Sequence, residues 1–366
     1  MNLTVFVTLQ PNPDQAPALL RTMERFNAAC NAIAAVAFRE RTANKIRLQK
    51  LIYADIRATF GLAAQLTVRA ISKVAEAYKR DKRIQPRFRP HGAIVYDQRV
   101  LSWKGLDRVS ILTLAGRQLI PVVLNGSHQA RMDRIRGQAD LIYRDGQFSL
   151  AVVVEAPEPP TLHPDDWLGV DLGLVNLAAD SDGQTYSGDQ VNGLRQRHAR
   201  LRQRLQKTGT KSAKRLLKKR RRKEARLATD GNHRIAKQLV AKAQDTRRGI
   251  ALEDVTGIRD RITVRRAQRR RQHRGSFHQL RSVIAYQARL AGVPVALVDP
   301  RNTSRTCPPC GLIDKRNRPD QTHFPCIGCG FAGPADTLAA INIGRRAAVN
   351  QPDAGSLSEI PASSAL

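Results

Sequence analysis

Residues 167–180 read WLGVDLGLVNLAAD and place one acid, Asp171, inside an apolar stretch typical of a buried β-strand. A carboxylate in a buried strand is costly unless it is paired or binds a cation. Pairing is feasible here, because the chain carries 62 Lys and Arg against 31 Asp and Glu. Asp171 alone therefore leaves two interpretations open, a structural ion pair and a cation ligand.

Two further acids occupy contexts that differ from this one and from each other. Glu253 ends the apolar strand GIALE (249–253), and Asp336 opens the helical sequence DTLAAINIGRRAAV (336–349). Each has an ordinary explanation, since Glu is common at strand ends and Asp is a favoured helix N-cap. Taken together, the three acids indicate a ligand set of hard oxygens suited to Mg²⁺ or Mn²⁺. The next residue, Asp254, is predicted to face away from Glu253.

Four of the five cysteines form two knuckles, CPPCG (307–311) and CIGCG (326–330), and fifteen residues lie between Cys310 and Cys326. Cys307, Cys310, Cys326 and Cys329 would supply four thiolates, the ligand set of a tetrahedral structural zinc site with no open position. His323 is close in sequence but is not expected to be a ligand. The fifth, Cys30, is predicted to be a small core residue.

The net charge of +31 indicates a polyanionic partner, and nucleic acid is the usual one. Residues 195–226 contain 16 Lys and Arg and a single acid, Glu224. This composition predicts helices so cationic that no packed face remains. The candidates for nucleic-acid contact lie in its densest part: Lys214, Arg215, Lys218, Lys219, Arg220, Arg221 and Arg222.

Hydropathy and turn signals give an outline of the domains. No apolar run is long enough for a membrane helix and the N-terminus lacks a signal-peptide pattern, so we expect a soluble, cytoplasmic protein. As to the oligomeric state, a monomer is slightly favoured. Asp145-Gly146 between two apolar runs predicts a hairpin turn. The predicted parts are a first strand (1–12), a helical insert (13–90), a β module (91–160), a core (161–345) with a basic helical insert (195–226) and a zinc ribbon (303–333), and a disordered tail (346–366).

GVDLGLVNLAADSDG, IALEDVTGI and NTSRTCPPCG…CIGCG…ADTLAAINI together resemble the TnpB/OrfB family. These are transposon-encoded RNA-guided DNA endonucleases, similar to the compact type V CRISPR effectors. The resemblance implies an α/β and α+β multidomain chain, with a small β-barrel-like module and its helical insert preceding an RNase H-like (RuvC) core that holds a zinc ribbon. It also implies Asp171, Glu253 and Asp336 as catalytic acids binding two Mg²⁺ ions, together with a guide RNA and target DNA as partners.

One residue departs from the family pattern. The third family motif reads roughly Asp-x-Asn-Ala-Ala-x-Asn-Ile, and here Leu338 replaces the first Asn. This change could weaken hydrogen bonding near the site. Two alternatives therefore stay open, a guided or unguided DNA-binding protein with weak or no cleavage, and a transposase or resolvase that acts without RNA.

Overall fold

The computed structural model describes residues 1–124, 129, 132–173, 175–254, 276–320 and 322–349. The chain divides into two compact units, Met1–Pro157 and Glu158–Leu366. The division falls three residues before the predicted boundary of the core at residue 161. Among the described residues, no helix combines the length and the apolarity needed to cross a membrane.

The first unit contains one seven-stranded antiparallel sheet, ordered β2-β6-β7-β1-β5-β4-β3. The edge strands β2 and β3 are consecutive in the chain, and the hydroxyl of Tyr96 on β2 donates to the carbonyl of Leu112 on β4 at 3.0 Å. The predicted hairpin is confirmed, with positive φ at Asp145 and Gly146. The strands are β1 (Asn2–Leu9), β2 (Ile94–Tyr96), β3 (Leu101–Lys104), β4 (Arg108–Thr113), β5 (Gly116–Val123), β6 (Ile135–Arg144) and β7 (Gln147–Glu155).

The helical insert of this unit consists of α1 (Gln15–Arg39), α2 (Lys45–Phe60) and α3 (Ala64–Arg80). Asn44 caps α2 by accepting from the backbone N–H groups of Ile46 and Arg47. Gly61, at a φ of 62°, ends the same helix in the left-handed conformation that glycine adopts without strain. Cys30 is fully buried on α1, as the sequence predicts.

The second unit is built on a five-stranded mixed sheet, ordered β10-β9-β8-β11-β12. The central strands β8 and β11 are parallel, as are β11 and β12, whereas β9 runs antiparallel to β8. These strands are β8 (Asp166–Asp171), β9 (Asn176–Asp180), β10 (Thr185–Ser187), β11 (Arg248–Glu253) and β12 (Val295–Val298). A separate ribbon pairs β13 (His323–Pro325) with β14 (Ala332–Pro334).

The helices of this unit are α4 (Asp189–Thr208), α5 (Lys211–Asp245), α6 (Ser276–Leu290) and α7 (Ala335–Val349). Two predicted boundaries need correction. The basic helical insert does not end at residue 226, because residues 211–245 form one helix, α5, whose second half buries Ile235, Leu239 and Ala243 against the sheet. Residues 346–349 continue α7, because Ala347 is buried there, and residues 350–366 lie outside the described residues.

Candidate functional site

The alternation of side chains along β8 and β11 decides which residues share a face of the sheet. Leu168, Val170, Ile250 and Leu252 pack against α5 and α6 on one face. Trp167 and Ala251 pack against Ile343 and Ala347 of α7 on the other face. Asp171 and Glu253 continue this second alternation, so both carboxylates lie on the side covered by α7, whose first turn carries Asp336.

Close contact between α7 and β8 depends on Gly169. A Cβ atom at this position would lie 1.9 Å from the Ala340 carbonyl oxygen and 2.5 Å from the Gly344 nitrogen. The helix backbone therefore rests directly on the strand backbone, and no other residue fits at position 169. This contact brings the helix that carries Asp336 to the strand that carries Asp171.

Asp171 is the acid most affected by its surroundings. Burial raises the pKa of its carboxyl to about 7, and the negative charges of Glu253 and Asp336 act in the same direction. The positive charge of Arg318 and a hydrogen bond from the backbone N–H of Leu172 oppose the rise. The raised pKa reflects first the free energy cost of burying this carboxylate and then its closeness to two other acids.

Glu253 is held by a buried hydroxyl group. The Thr303 Oγ1 donates to Glu253 Oε1 at 2.5 Å, and Thr303 is 2% exposed. The amide of Asn342, on α7, donates to the backbone carbonyls of Thr303 and Thr306 at 2.8 Å each. Burial raises the pKa of Glu253, while the hydroxyl of Thr303 lowers it. The helix that carries the third acid thus also fixes the loop that orients the second.

Asp336 lies inside the first turn of α7, one residue beyond the start of the helix, so it is not the N-cap. Its carboxylate accepts from Arg318 Nη2 at 3.1 Å and from Asn176 Nδ2 at 3.2 Å. Arg318 belongs to the ribbon segment, and its positive charge also lowers the pKa of Asp171 and of Glu253. Arg318, Thr303 and Asn342 are site residues that the sequence did not indicate.

The four cysteines lie together at a separate centre. Of the described His, Cys, Asp and Glu side chains, only these form a group of three or more whose ligand atoms all lie within 4.8 Å of one another. The negative charges of Glu253 and Asp336 act on Asp171, but the oxygens of these three carboxylates do not all lie within 4.8 Å of one another. Gly311 and Gly330 follow the knuckles at φ of 75° and 74° and allow the chain to reverse. The donor set fits zinc, and His323 is not part of it.

Leu338 connects the ribbon to α7. Its side chain is 4% exposed and packs with Cys307, Phe324, Cys326 and Ala335 in one apolar cluster. Because β14 ends at Pro334 and α7 begins at Ala335, the ribbon leads directly into the acid-bearing helix. The residue that departs from the family motif therefore belongs to the core of the ribbon.

Asp254, beside Glu253, faces away from the acids as predicted. Its carboxylate accepts from Arg281 Nη1 of α6 at 3.2 Å. The two neighbouring acids at the end of β11 thus lie on opposite faces of the sheet.

The basic helices α4 and α5 pack against each other, so the prediction that they have no packed face is wrong. Buried His198 contacts Glu224 at 2.8 Å through Nδ1 and Arg220 at 3.2 Å through Nε2, and Arg202 donates to the same glutamate. The single acid of this segment therefore joins the two helices. Of the predicted nucleic-acid contacts, Arg220 and Arg222 are half-buried, and five are exposed: Lys214, Arg215, Lys218, Lys219 and Arg221.

Two family models match the chain. Residues 150–256 match the OrfB IS605 model, described as a probable transposase, and residues 277–343 match the Cas12f1-like TNB domain. A CRISPR-associated endodeoxyribonuclease Cas12f1 of Sulfoacidibacillus thermotolerans is 29% identical over 257 residues, which cover 64% of this chain and 58% of the relative. A TnpB-like protein of Methanocaldococcus jannaschii is 33% identical over 122 residues, 33% of this chain and 43% of that protein. The chain thus spans about half the length of these curated relatives.

A solved structure of a Cas12f1–sgRNA–target DNA complex has the same fold. It superposes with a TM-score of 0.61 over 89% of this chain and 82% of that chain, at 15% identity. The mixed sheet, the cysteine ribbon and the two matched models together define a class of transposase-associated and CRISPR-associated proteins. Within that class, the chain is similar to the TnpB-like proteins.

Proposed function

We propose that this chain is an RNA-guided, Mg²⁺-dependent DNA endonuclease with an RNase H-like (RuvC) core. The curated relatives named as endodeoxyribonucleases support the reaction class. The complex of similar fold, which contains sgRNA and target DNA, supports the choice of partners. The net positive charge of the chain agrees with nucleic acids as partners.

The convergence of Asp171, Glu253 and Asp336 on the α7 side of the sheet carries this proposal. Three carboxylates gathered with a raised pKa at Asp171 offer hard oxygen ligands and an unfavourable charge balance that divalent cations would offset. Two Mg²⁺ or Mn²⁺ ions bound there would supply an activated water and neutralise the departing 3′-oxygen. The expected products carry a 5′-phosphate and a 3′-hydroxyl.

The protein groups around the acids would set their orientation. Thr303 fixes one oxygen of Glu253, which leaves the other oxygen available to a cation. Arg318 holds Asp336 and adds a positive charge where a phosphodiester would approach the acids. The proposed roles of Thr303 and Asn342 are to position Glu253, and neither residue needs to touch the substrate.

The remaining predicted sites have distinct roles in the proposal. Cys307, Cys310, Cys326 and Cys329 would hold one structural Zn²⁺ with a filled coordination shell. The α4–α5 hairpin would lie along the duplex of guide RNA and target DNA, and its exposed cations would contact the backbone while base pairing reads the sequence. That the protein acts as a monomer stays a prediction.

Cleavage by two carboxylate variants tests the proposal. Asp171→Ala should abolish Mg²⁺-dependent cleavage of a target matched to the guide, while target binding survives. Asp254→Ala is the matched control, because this acid lies on the opposite face and contacts Arg281. Cleavage by Asp171→Ala at the wild-type rate would show that the catalytic assignment is wrong.

The description of the OrfB IS605 model as a probable transposase supports a second candidate, a transposase or resolvase that acts without RNA. RNA that purifies with the protein separates the two candidates. A tightly bound RNA that cleavage requires supports the guided nuclease. Full activity of nucleic-acid-free protein supports the transposase.

A further inference from the structure

Residues 82–93, here called the basic segment, connect α3 to β2 without helix or strand, yet side chains of α1 bind their backbone. The Asn31 side-chain amide donates to the Phe88 carbonyl at 2.9 Å, and the Phe88 N–H donates back to Asn31 Oδ1 at 2.8 Å. This pair of bonds imitates the pairing of two strands. The two hydrogen bonds fix the orientation of the backbone at Phe88.

Two more side chains hold the following residues. Asn27, fully buried on α1, donates to the carbonyls of Pro90 at 3.1 Å and Gly92 at 2.9 Å. Lys73 of α3 donates to the carbonyl of Ala93 and lies 5.1 Å from the centre of the Phe88 ring. Burial lowers the pKa of Lys73, so the amino group is placed here at a free energy cost. The backbone of residues 88–93 is therefore held in one conformation.

This anchoring determines where the cations of the basic segment point. Because Phe88 turns inward over Lys73, the alternation of an extended chain directs Arg87 and Arg89 outward. Both are exposed, and neither has an ion-pair partner in the described part of the chain. Arg83, by contrast, binds Asp81, and His91 contacts Glu24. Arg87 and Arg89 thus extend from an anchored backbone, and the described residues include no ion-pair partner for either guanidinium group.

We infer that the basic segment binds the phosphodiester backbone of a nucleic acid through Arg87 and Arg89. A guanidinium binds a phosphate by two parallel hydrogen bonds, and a backbone already held in one conformation lowers the entropic cost of ordering the segment on binding. The net charge of +31 favours a polyanion over an acidic peptide as the partner. The inference rests on the nucleic-acid-binding part of the proposed function and is independent of cleavage.

The test measures binding of the full-length double variant Arg87→Gln/Arg89→Gln to an RNA of about 20 nucleotides and to a DNA duplex of about 20 base pairs, probe lengths matching the usual heteroduplex. Affinity is measured against salt concentration. Loss of two phosphate contacts should reduce the slope of log K against log salt by about 1.8 on duplex DNA or about 1.4 on single-stranded RNA. The probe that shows the reduction identifies which nucleic acid the segment contacts.

Arg39→Gln/Arg108→Gln is the matched control, because it removes the same charge from arginines that lie beside Glu40 and Asp107. Equal slopes for the two double variants on both probes, or an unchanged slope for Arg87→Gln/Arg89→Gln, would overturn the inference. Asn31→Ala keeps every charge and should lower affinity a few-fold with the slope unchanged. Since no arm measures cleavage, a failed nuclease proposal leaves these results interpretable.

Discussion

Replacing Gly169 by alanine tests how closely α7 must approach β8 for the acids to act together. The new Cβ would meet the Ala340 carbonyl oxygen at 1.9 Å, a separation that must grow to at least 3.0 Å. The opposing atom belongs to a helix backbone, which cannot rotate aside. Helix α7 must therefore recede from the strand by about 1 Å.

Such a displacement moves Asp336 away from Asp171, and a misplacement of about 1 Å near reacting groups costs about 100-fold in rate. Overpacking of this kind also costs about 1–3 kcal/mol of stability. Single-turnover cleavage at saturating Mg²⁺, together with thermal unfolding, separates the two effects. Gly344→Ala is a milder form of the same change, because its Cβ would lie 2.9 Å from the Trp167 carbonyl oxygen.

Gly231→Ala, on α5, is the control, since the nearest atom to its added Cβ is Val191 Cγ2 at 3.9 Å. This variant should cleave at the wild-type rate and gain up to about 1 kcal/mol in stability. We expect the loss of rate to decrease in the order Gly169, Gly344, Gly231. A Gly169→Ala protein with wild-type rate and melting temperature would refute the packing argument.

Four further predictions concern the acids and the ribbon. Thr303→Val should slow cleavage about 10- to 100-fold and raise the Mg²⁺ concentration required, because a hydrogen bond to a charged group contributes about 1.5–3 kcal/mol. Thr303→Ser keeps the hydroxyl and should restore both the rate and the Mg²⁺ requirement. Failure of that rescue would contradict a positioning role for Thr303. Asp171→Asn should stabilise the protein in buffer without added divalent cations, by about 2–4 kcal/mol at pH 8 and much less at pH 5, as measured by denaturant unfolding. The sign follows because the pKa of Asp171 in the folded protein, about 7, exceeds the ordinary value of 3.8. The wild-type protein therefore loses stability as pH rises between these two values, whereas the Asn variant does not. An equal gain in stability at pH 5 and pH 8 would contradict this reasoning. Leu338→Asn, which restores the family residue, should lower the free energy of unfolding by about 1–3 kcal/mol without faster cleavage, since the amide would enter an apolar cluster. Cys310→Ser should lower zinc content, melting temperature and cleavage together, and unchanged zinc stoichiometry would count against the ribbon.

Sequence alone was informative wherever a residue type conflicted with its local context. Asp171 in an apolar strand and the paired cysteine knuckles are such conflicts, and the structure gathers the acids on one face and the thiols at one point. The period of two along β8 and β11 also predicted that Asp254 faces away, and its contact with Arg281 confirms this. These inferences needed only local spacing and the alternation of a strand.

Arg318, Thr303 and Asn342 could not be found in this way. Arg318 is one of 62 Lys and Arg, and its contact with Asp336 depends on how the ribbon packs against α7. Thr303 acquires its role only because Asn342, 39 residues later, holds its carbonyl. The continuity of α5 was also missed, because Asp230-Gly231-Asn232 resembles a break, whereas buried Asn232 binds Gln279 of α6 and supports the helix there.

The parallel pairing of β8 with β11 has a consequence for the order in which the chain assembles. The α4–α5 hairpin consists of local contacts and can form early, whereas this pairing must close the whole intervening segment from Asp171 to Arg248. Helix α7 can dock only after both strands are in place, since it lies across them. Under the proposed function, the cationic α4–α5 hairpin would therefore be complete before the three acids meet.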